Sequence, residues 1–328
     1  MKQKLIVLVA LLGSIATYAQ QDAQFSQWMF NKMDMNPAYT GTDKSLCATA
    51  LYRNQWVGFD GAPKTVMVSV GGFFPVILGG AGLTVFNDQL GFSSTTIAQL
   101  SYSYHWTLGP GTLGIGADAG FLQQSVNGKW SATDPYQSDP PIPATGTNVK
   151  TYDLGFGLYY TNPTGMFFGI SSTHLPSNTS TSSTIAGGQP YTTSNGTTGL
   201  STKSNLTYEL ARHYYLMAGW PFNLNADYKL VPSILAKTDG ASTQMDLNAR
   251  IVWHDKYWFG ASYRITDAVV AMIGMQMGTL LAGYSYDFTT SNIRNYSSGS
   301  HEIVLRYCFM TFKEPVPSEH HNPRFLGY

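Results

Sequence analysis

Charge is scarce in this chain. Lys, Arg, Asp and Glu make up 12% of its 328 residues, about half the share of an ordinary soluble domain. The 19 basic side chains are matched by 19 acidic ones, so there is no basic excess to hold a nucleic-acid backbone. Cysteine is rarer still. Cys47 and Cys308 are the only two, too few for a disulfide framework. Long apolar runs are missing as well: Leu5 to Leu12 falls far short of the roughly 20 residues a spanning helix needs. Any membrane insertion must therefore be by strands.

What is present points the same way. Aromatic residues reach 14% and glycine 33 residues, while mean hydropathy stays near zero. Apolar surface diluted by an equal polar share suits strands with one face to lipid and one to a lumen. Gln244 to Trp253 shows the pattern plainly. Met245, Leu247, Ala249, Ile251 and Trp253 fall on one face, and Gln244, Asp246, Asn248 and Arg250 on the other, because side chains in a strand change face at every residue. Tyr152, Leu154, Phe156, Leu158 and Tyr160 face out by the same beat, as do Ile303, Leu305, Tyr307 and Phe309.

The alternation predicts an all-β, antiparallel transmembrane barrel of fourteen strands. They lie at 45–57, 64–75, 81–88, 93–107, 112–127, 150–161, 165–176, 203–220, 225–239, 243–254, 257–266, 268–278, 279–290 and 301–312. Long polar connections at 128–149 and 177–202 belong to one rim, the extracellular one. Tight turns such as Asn162-Pro163-Thr164 and Asp255-Lys256 belong to the periplasmic rim, as is usual in such barrels. Residues 1–19 read as a secretory signal. Lys2 and Lys4 precede the Leu5–Leu12 run, and cleavage is expected between Ala19 and Gln20. Residues 20–44 form a periplasmic or lumen-plugging segment, 45–312 the barrel, and 313–328 a periplasmic tail. The outer membrane is the expected location.

Motifs of chemistry are weak. Gly109-Pro110-Gly111-Thr112-Leu113-Gly114 has dinucleotide-loop spacing, but a strand follows where that loop needs a helix. His320-His321 lack companions at metal-ligand spacing. His105, His174, His213 and Ser171 are scattered, with no nucleophile elbow. No enzyme, cofactor or metal site is predicted. Cys47 and Cys308 sit in the first and last strands on lumen parity. Two separate thiols are the plainer reading, and a disulfide between those strands is the alternative.

Inward parity collects both signs of charge: Arg53, Asp118, Asp153, Glu209, Asp227, Lys229, Asp246, Arg250, Arg264, Asp287, Glu302 and Arg306. Balanced signs argue against a strongly ion-selective pore. They suit either a network bracing the wall or a surface for an inserted segment. Arg212 alone takes lipid parity within its strand, which a bulge or a place near the rim would resolve.

One stretch is more specific. Tyr52-Arg53-Asn54-Gln55-Trp56-Val57-Gly58-Phe59-Asp60-Gly61-Ala62-Pro63-Lys64-Thr65 spans the first hairpin, after Gln24-Phe25-Ser26-Gln27 and Asn36-Pro37-Ala38-Tyr39-Thr40-Gly41. Asn87-Asp88 and Gly91 follow in the second hairpin. These residues resemble the PorP/SprF family of outer-membrane proteins of the Bacteroidota type IX secretion system. The resemblance implies a non-enzymatic role in secreting or anchoring a large surface protein, such as a gliding adhesin, through its C-terminal secretion domain. It also implies contact with secretion-machinery components and outer-membrane lipid, and none with nucleic acid. As partner-binding candidates we take Arg53, Gln55, Trp56, Phe59 and Asp60 from the motif, and Arg250, Arg264 and Arg306 from the lumen charges. The competing reading is an outer-membrane channel for a small or hydrophobic solute.

Overall fold

Alternation is the element-forming signal here, and each strand obeys it. In the computed structural model, residues 22–127, 147–177 and 204–311 are described, with short strand pieces between 179 and 200. Fourteen strands close into one antiparallel barrel: β1 (Ser45–Asn54), β2 (Lys64–Phe74), β3 (Gly79–Leu90), β4 (Ser93–Leu108), β5 (Gly111–Val126), β6 (Thr147–Thr161), β7 (Phe167–Thr173), β8 (His213–Gly219), β9 (Tyr228–Thr238), β10 (Thr243–Trp253), β11 (Tyr257–Arg264), β12 (Ala268–Met277), β13 (Leu280–Thr289) and β14 (Ser300–Thr311). Neighbours in sequence are neighbours in the wall, and β14 returns to pair with β1. Closure leaves no unpaired edge in the apolar zone, which is what a spanning sheet requires.

The outward face carries Leu100, Tyr102, Tyr104 and Trp106 on β4, and Tyr152, Leu154, Phe156 and Leu158 on β6, all exposed. The inward partners Gln99, Ser101, Ser103, Thr151 and Asp153 are buried. A two-residue period explains both sets at once. The polar face is buried because the lumen is filled.

Two expectations are corrected. Cys47 and Cys308 are bonded to each other, not free. Closure sets β1 against β14 with Cys47 directly opposite Cys308, a register that spans the whole chain and leaves no local trace. The strand expected over 203–220 is interrupted at 210–212. Its first part, Ser204–Glu209, pairs with Thr179–Thr184, and only His213–Gly219 joins the wall. The break, rather than a bulge, accommodates Arg212, whose Nη2 donates to the Leu175 carbonyl at 2.5 Å. The expected leader, residues 128–146 of the long loop expected over 128–149, the Glu209 side chain and the tail 313–328 lie outside the described residues, and 147–149 belong to β6.

Residues 22–44 run through the lumen. A 3-10 turn (Trp28–Phe30), a single helical turn α1 (Lys32–Met35) and a second 3-10 turn (Pro37–Tyr39) fold the segment compactly. Asn36 Oδ1 accepts the Ala38 amide at 3.0 Å, and Pro37 starts the second turn, where its missing N–H costs nothing. Trp28, Met29, Phe30, Met35 and Ala38 pack against inward residues such as Met67, Met217 and Val304 in one apolar cluster.

Candidate functional site

The plug starts near the rim that carries the long loops and ends near the rim of short turns, and each portion finds a different lining. Ser26 lies beside four charged wall residues. Its amide donates to Glu302 Oε2 at 2.8 Å, and the Gln27 amide to Glu302 Oε1 at 2.7 Å. The Ser26 hydroxyl points at the Asp287 carboxylate, 2.7 Å from Oδ1. Arg53 donates to Asp287 Oδ2 at 2.7 Å, to Glu302 Oε2 at 3.0 Å and to Ser26 Oγ at 2.9 Å. Arg264 reaches the same Asp287 oxygen at 3.1 Å, Asp267 at 3.2 Å, Asp246 at 3.5 Å and Ser26 Oγ at 3.0 Å. Arg53, Arg264 and Glu302 are at most 1% exposed. Buried charges survive only when paired and hydrogen-bonded, and the plug supplies a hydroxyl and two amides toward that end.

Farther in, Arg250 stacks over the Phe30 ring at 4.8 Å and near Trp258 at 5.7 Å. The Lys32 ammonium lies 3.8 Å from the centre of the Phe167 ring and donates to the Tyr159 hydroxyl at 3.2 Å. Next comes a floor of glycines. A side-chain carbon on Gly116 would run into the Ala38 backbone, and one on Gly157 into the Asn36 amide group. Asn36 Nδ2 donates to the Leu158 carbonyl at 3.0 Å, and Ser103 Oγ to the Ala38 carbonyl at 2.9 Å. At the exit, Arg306 pairs with Asp43, which also accepts the Tyr39 hydroxyl at 2.7 Å.

The eight partner-binding candidates therefore separate into groups. Arg53 and Arg264 meet at Ser26; Arg250 and Arg306 hold other parts of the plug. Gln55, Trp56, Phe59 and Asp60 belong to the 55–63 loop, on the rim and away from the network. Trp56 and Gly58 adopt left-handed conformations there, φ 50° and 96°. Neighbouring loops hold this one: the Val57 amide donates to Gly299 O at 2.8 Å, the Ser298 amide to Val57 O at 2.7 Å, and the Gly91 amide to Gly61 O at 2.9 Å. Phe59 and Asp60 are exposed and border a cleft of about 550 Å3 with Asn54, Lys64 and Gln89. Asp227 is corrected: it is exposed in a turn beside His254 rather than lumen-facing.

Sequence reading missed the plug's own donors, Ser26, the Gln27 amide and Asn36. Their small polar character within an aromatic segment was the only signal. It also missed that His174 and His213, 39 residues apart in number, converge with Tyr215 and Lys237 on Asp22.

A family described as "Type IX secretion system membrane protein PorP/SprF" matches residues 17–307. The chain belongs to the PorP/SprF family. That match takes in the plug and nearly all of the wall, and makes the chain a membrane protein of type IX secretion. No curated protein matches it. Among solved structures it is similar to a monoaromatic hydrocarbon channel, CymD (11% identity, TM-score 0.48, 87% of this chain and 93% of that one). It is also similar to the Ralstonia pickettii toluene transporter TbuX (11%, 0.46, 85% and 93%) and to the Acinetobacter baumannii outer membrane protein Omp33 (6%, 0.44, 81% and 100%).

Proposed function

We propose that this PorP/SprF-family barrel is a non-enzymatic outer-membrane anchor that holds a large type IX secreted protein, such as a gliding adhesin, at the cell surface. The observation that carries the reading is the occupied lumen. Its own N-terminal segment fills it, fastened by the Arg53–Glu302–Asp287–Arg264 network. Cavities beside the plug at Asp22 and at Lys32 measure about 40 and 30 Å3, room for a few waters each. With the interior taken, the surface left to a protein partner is the loop rim, where the 55–63 loop is held in one shape and exposes Phe59 and Asp60. A rigid loop keeps the entropy cost of binding low.

Deletion of the gene is expected to leave the cognate surface protein undisplayed, and a Phe59→Ala/Asp60→Ala variant to insert normally yet retain less of it. Normal display in the deletion strain sinks the proposal. Planar-bilayer recording of the purified barrel separates the competing reading: the anchor predicts silence, and a stable open conductance supports a solute channel instead.

A further inference from the structure

Asp22 opens the plug, and three wall residues surround its carboxylate. His174, directly after β7, places Nε2 at 3.1 Å from Asp22 Oδ1 and 3.3 Å from Oδ2. His213, at the start of β8, accepts the Asp22 amide on Nε2 at 3.3 Å. The Tyr215 hydroxyl donates to Asp22 Oδ2 at 2.6 Å. Both imidazoles are 3% exposed.

The other ring nitrogens decide what this arrangement is for. His174 Nδ1 lies 2.8 Å from Asp153 Oδ2, an oxygen that Gln99 also holds at 2.8 Å. His213 Nδ1 lies 3.0 Å from the Ala211 carbonyl. An oxygen acceptor at each Nδ1 draws a proton there, so His213 Nε2 is the acceptor nitrogen that takes the Asp22 amide. His174 lies between two carboxylates, Asp153 at Nδ1 and Asp22 at Nε2, so the Nε2 side calls for a positive charge, which either a second ring proton or a bound metal ion supplies. Imidazoles whose second nitrogen is held by a carboxylate or a backbone carbonyl are the usual supports of metal ligands. The donor atoms of Asp22, His174 and His213 already lie within 4.8 Å of one another. A tetrahedral ion with bonds of roughly 2.0–2.1 Å needs only a small inward shift of each. Two imidazoles and a carboxylate select zinc-like ions over magnesium or calcium. The adjoining cavity, bordered by Asp22, Asp34, His174 and Tyr215, has room for the water that completes the shell. Lys237 also borders it, but its ammonium donates to the Asp22 carbonyl rather than to the carboxylate, at 2.9 Å.

We propose that Asp22, His174 and His213 bind one divalent transition-metal ion of the zinc class, which fastens the head of the plug to β7 and β8. The ion replaces the long Asp22 amide contact, and Asp153, Ala211 and Tyr215 hold its ligands in place from behind. This inference does not depend on the anchoring role: a plugged channel would use the same clasp.

The test uses the full mature chain from membranes, without a polyhistidine tag and with His320→Asn and His321→Asn to silence the tail. After chelation and dialysis, Zn2+ is titrated calorimetrically and Co2+ by its visible absorption. One equivalent with micromolar or tighter affinity and tetrahedral Co2+ bands is expected. Asp153→Asn is expected to lower affinity at least tenfold, since it frees the His174 ring. His174→Gln/His213→Gln is expected to abolish binding, and Asp22→Asn, outside the wall, reads the same loss should the double variant not insert. Heat-modifiable migration checks that each barrel is folded. Substoichiometric uptake by the parent, or unchanged affinity in the folded ligand variants, overturns the proposal.

Discussion

At Ser26 the plug meets the wall through charge, whereas at Ala38 it meets the wall where side chains are missing. The first contact is a balance: two guanidiniums, three buried carboxylates and a hydroxyl shared among them. The second is a fit, with the Pro37–Ala38 backbone lying on Gly116 and the Asn36 side-chain amide on Gly157. Balance fails when something is removed, because a buried charge is left unpaired. Fit fails when something is added. One segment is thus held by two mechanisms with opposite sensitivities.

The largest effect is expected from Arg53→Ala, which takes the paired guanidinium from Glu302 and leaves Asp287 to Arg264 alone. It should cost about 3–5 kcal/mol, read by urea unfolding in lipid vesicles. Hydrogen exchange should rise at the Ser26 and Gln27 amides before it rises at Ala38; uniform acceleration would erase the distinction between the two contacts. Gly116→Val is expected to cost about 1–3 kcal/mol by overpacking. It should expose Lys32 to trypsin while Ser26 and Gln27 stay protected. Asn36→Ala removes the bonds to the Leu158 carbonyl and the Ala38 amide and should cost about 1–2 kcal/mol, with exchange rising only at Ala38 and Thr40. Lys229→Ala touches neither contact. Its ion pair with Asp255 is open to solvent, so a change within about 1 kcal/mol is expected, and a larger one would mean that the turn rim communicates with the plug.

Face and count were legible in the chain because a two-residue period survives any tertiary arrangement. Asp246, Arg264, Asp287 and Glu302 could be placed inside from parity alone. Which of them meet could not. Arg53 and Glu302 are 249 residues apart, and their contact depends on the register of every strand between them as well as on closure. The Cys47–Cys308 pairing was hidden for the same reason: a shift of one residue at the seam would turn the thiols to opposite faces. Arg212 did mark the interruption at 210–212, since its parity was wrong for an unbroken strand. The direction in which 22–44 threads the lumen left no sequence trace, because glycines that receive a backbone look like glycines that merely lighten a strand. The 55–63 loop stood out as a motif, yet only the structure separates exposed Phe59 and Asp60 from buried Arg53.

The Cys47–Cys308 bond joins the first strand of the wall to the last. Arg53 on β1 and Glu302 on β14 grip Ser26 across that same junction. Strand closure, the charge network and the disulfide therefore share one seam. With β14 against β1, the two strands set complementary charges that the seated plug helps neutralise, and the sulfurs within reach of each other. A barrel that shut over an empty lumen would leave Arg53 and Glu302 without their contacts to Ser26 and Gln27. Formation of the bridge reports that the ring has closed, and the charges beside it favour closing around the plug.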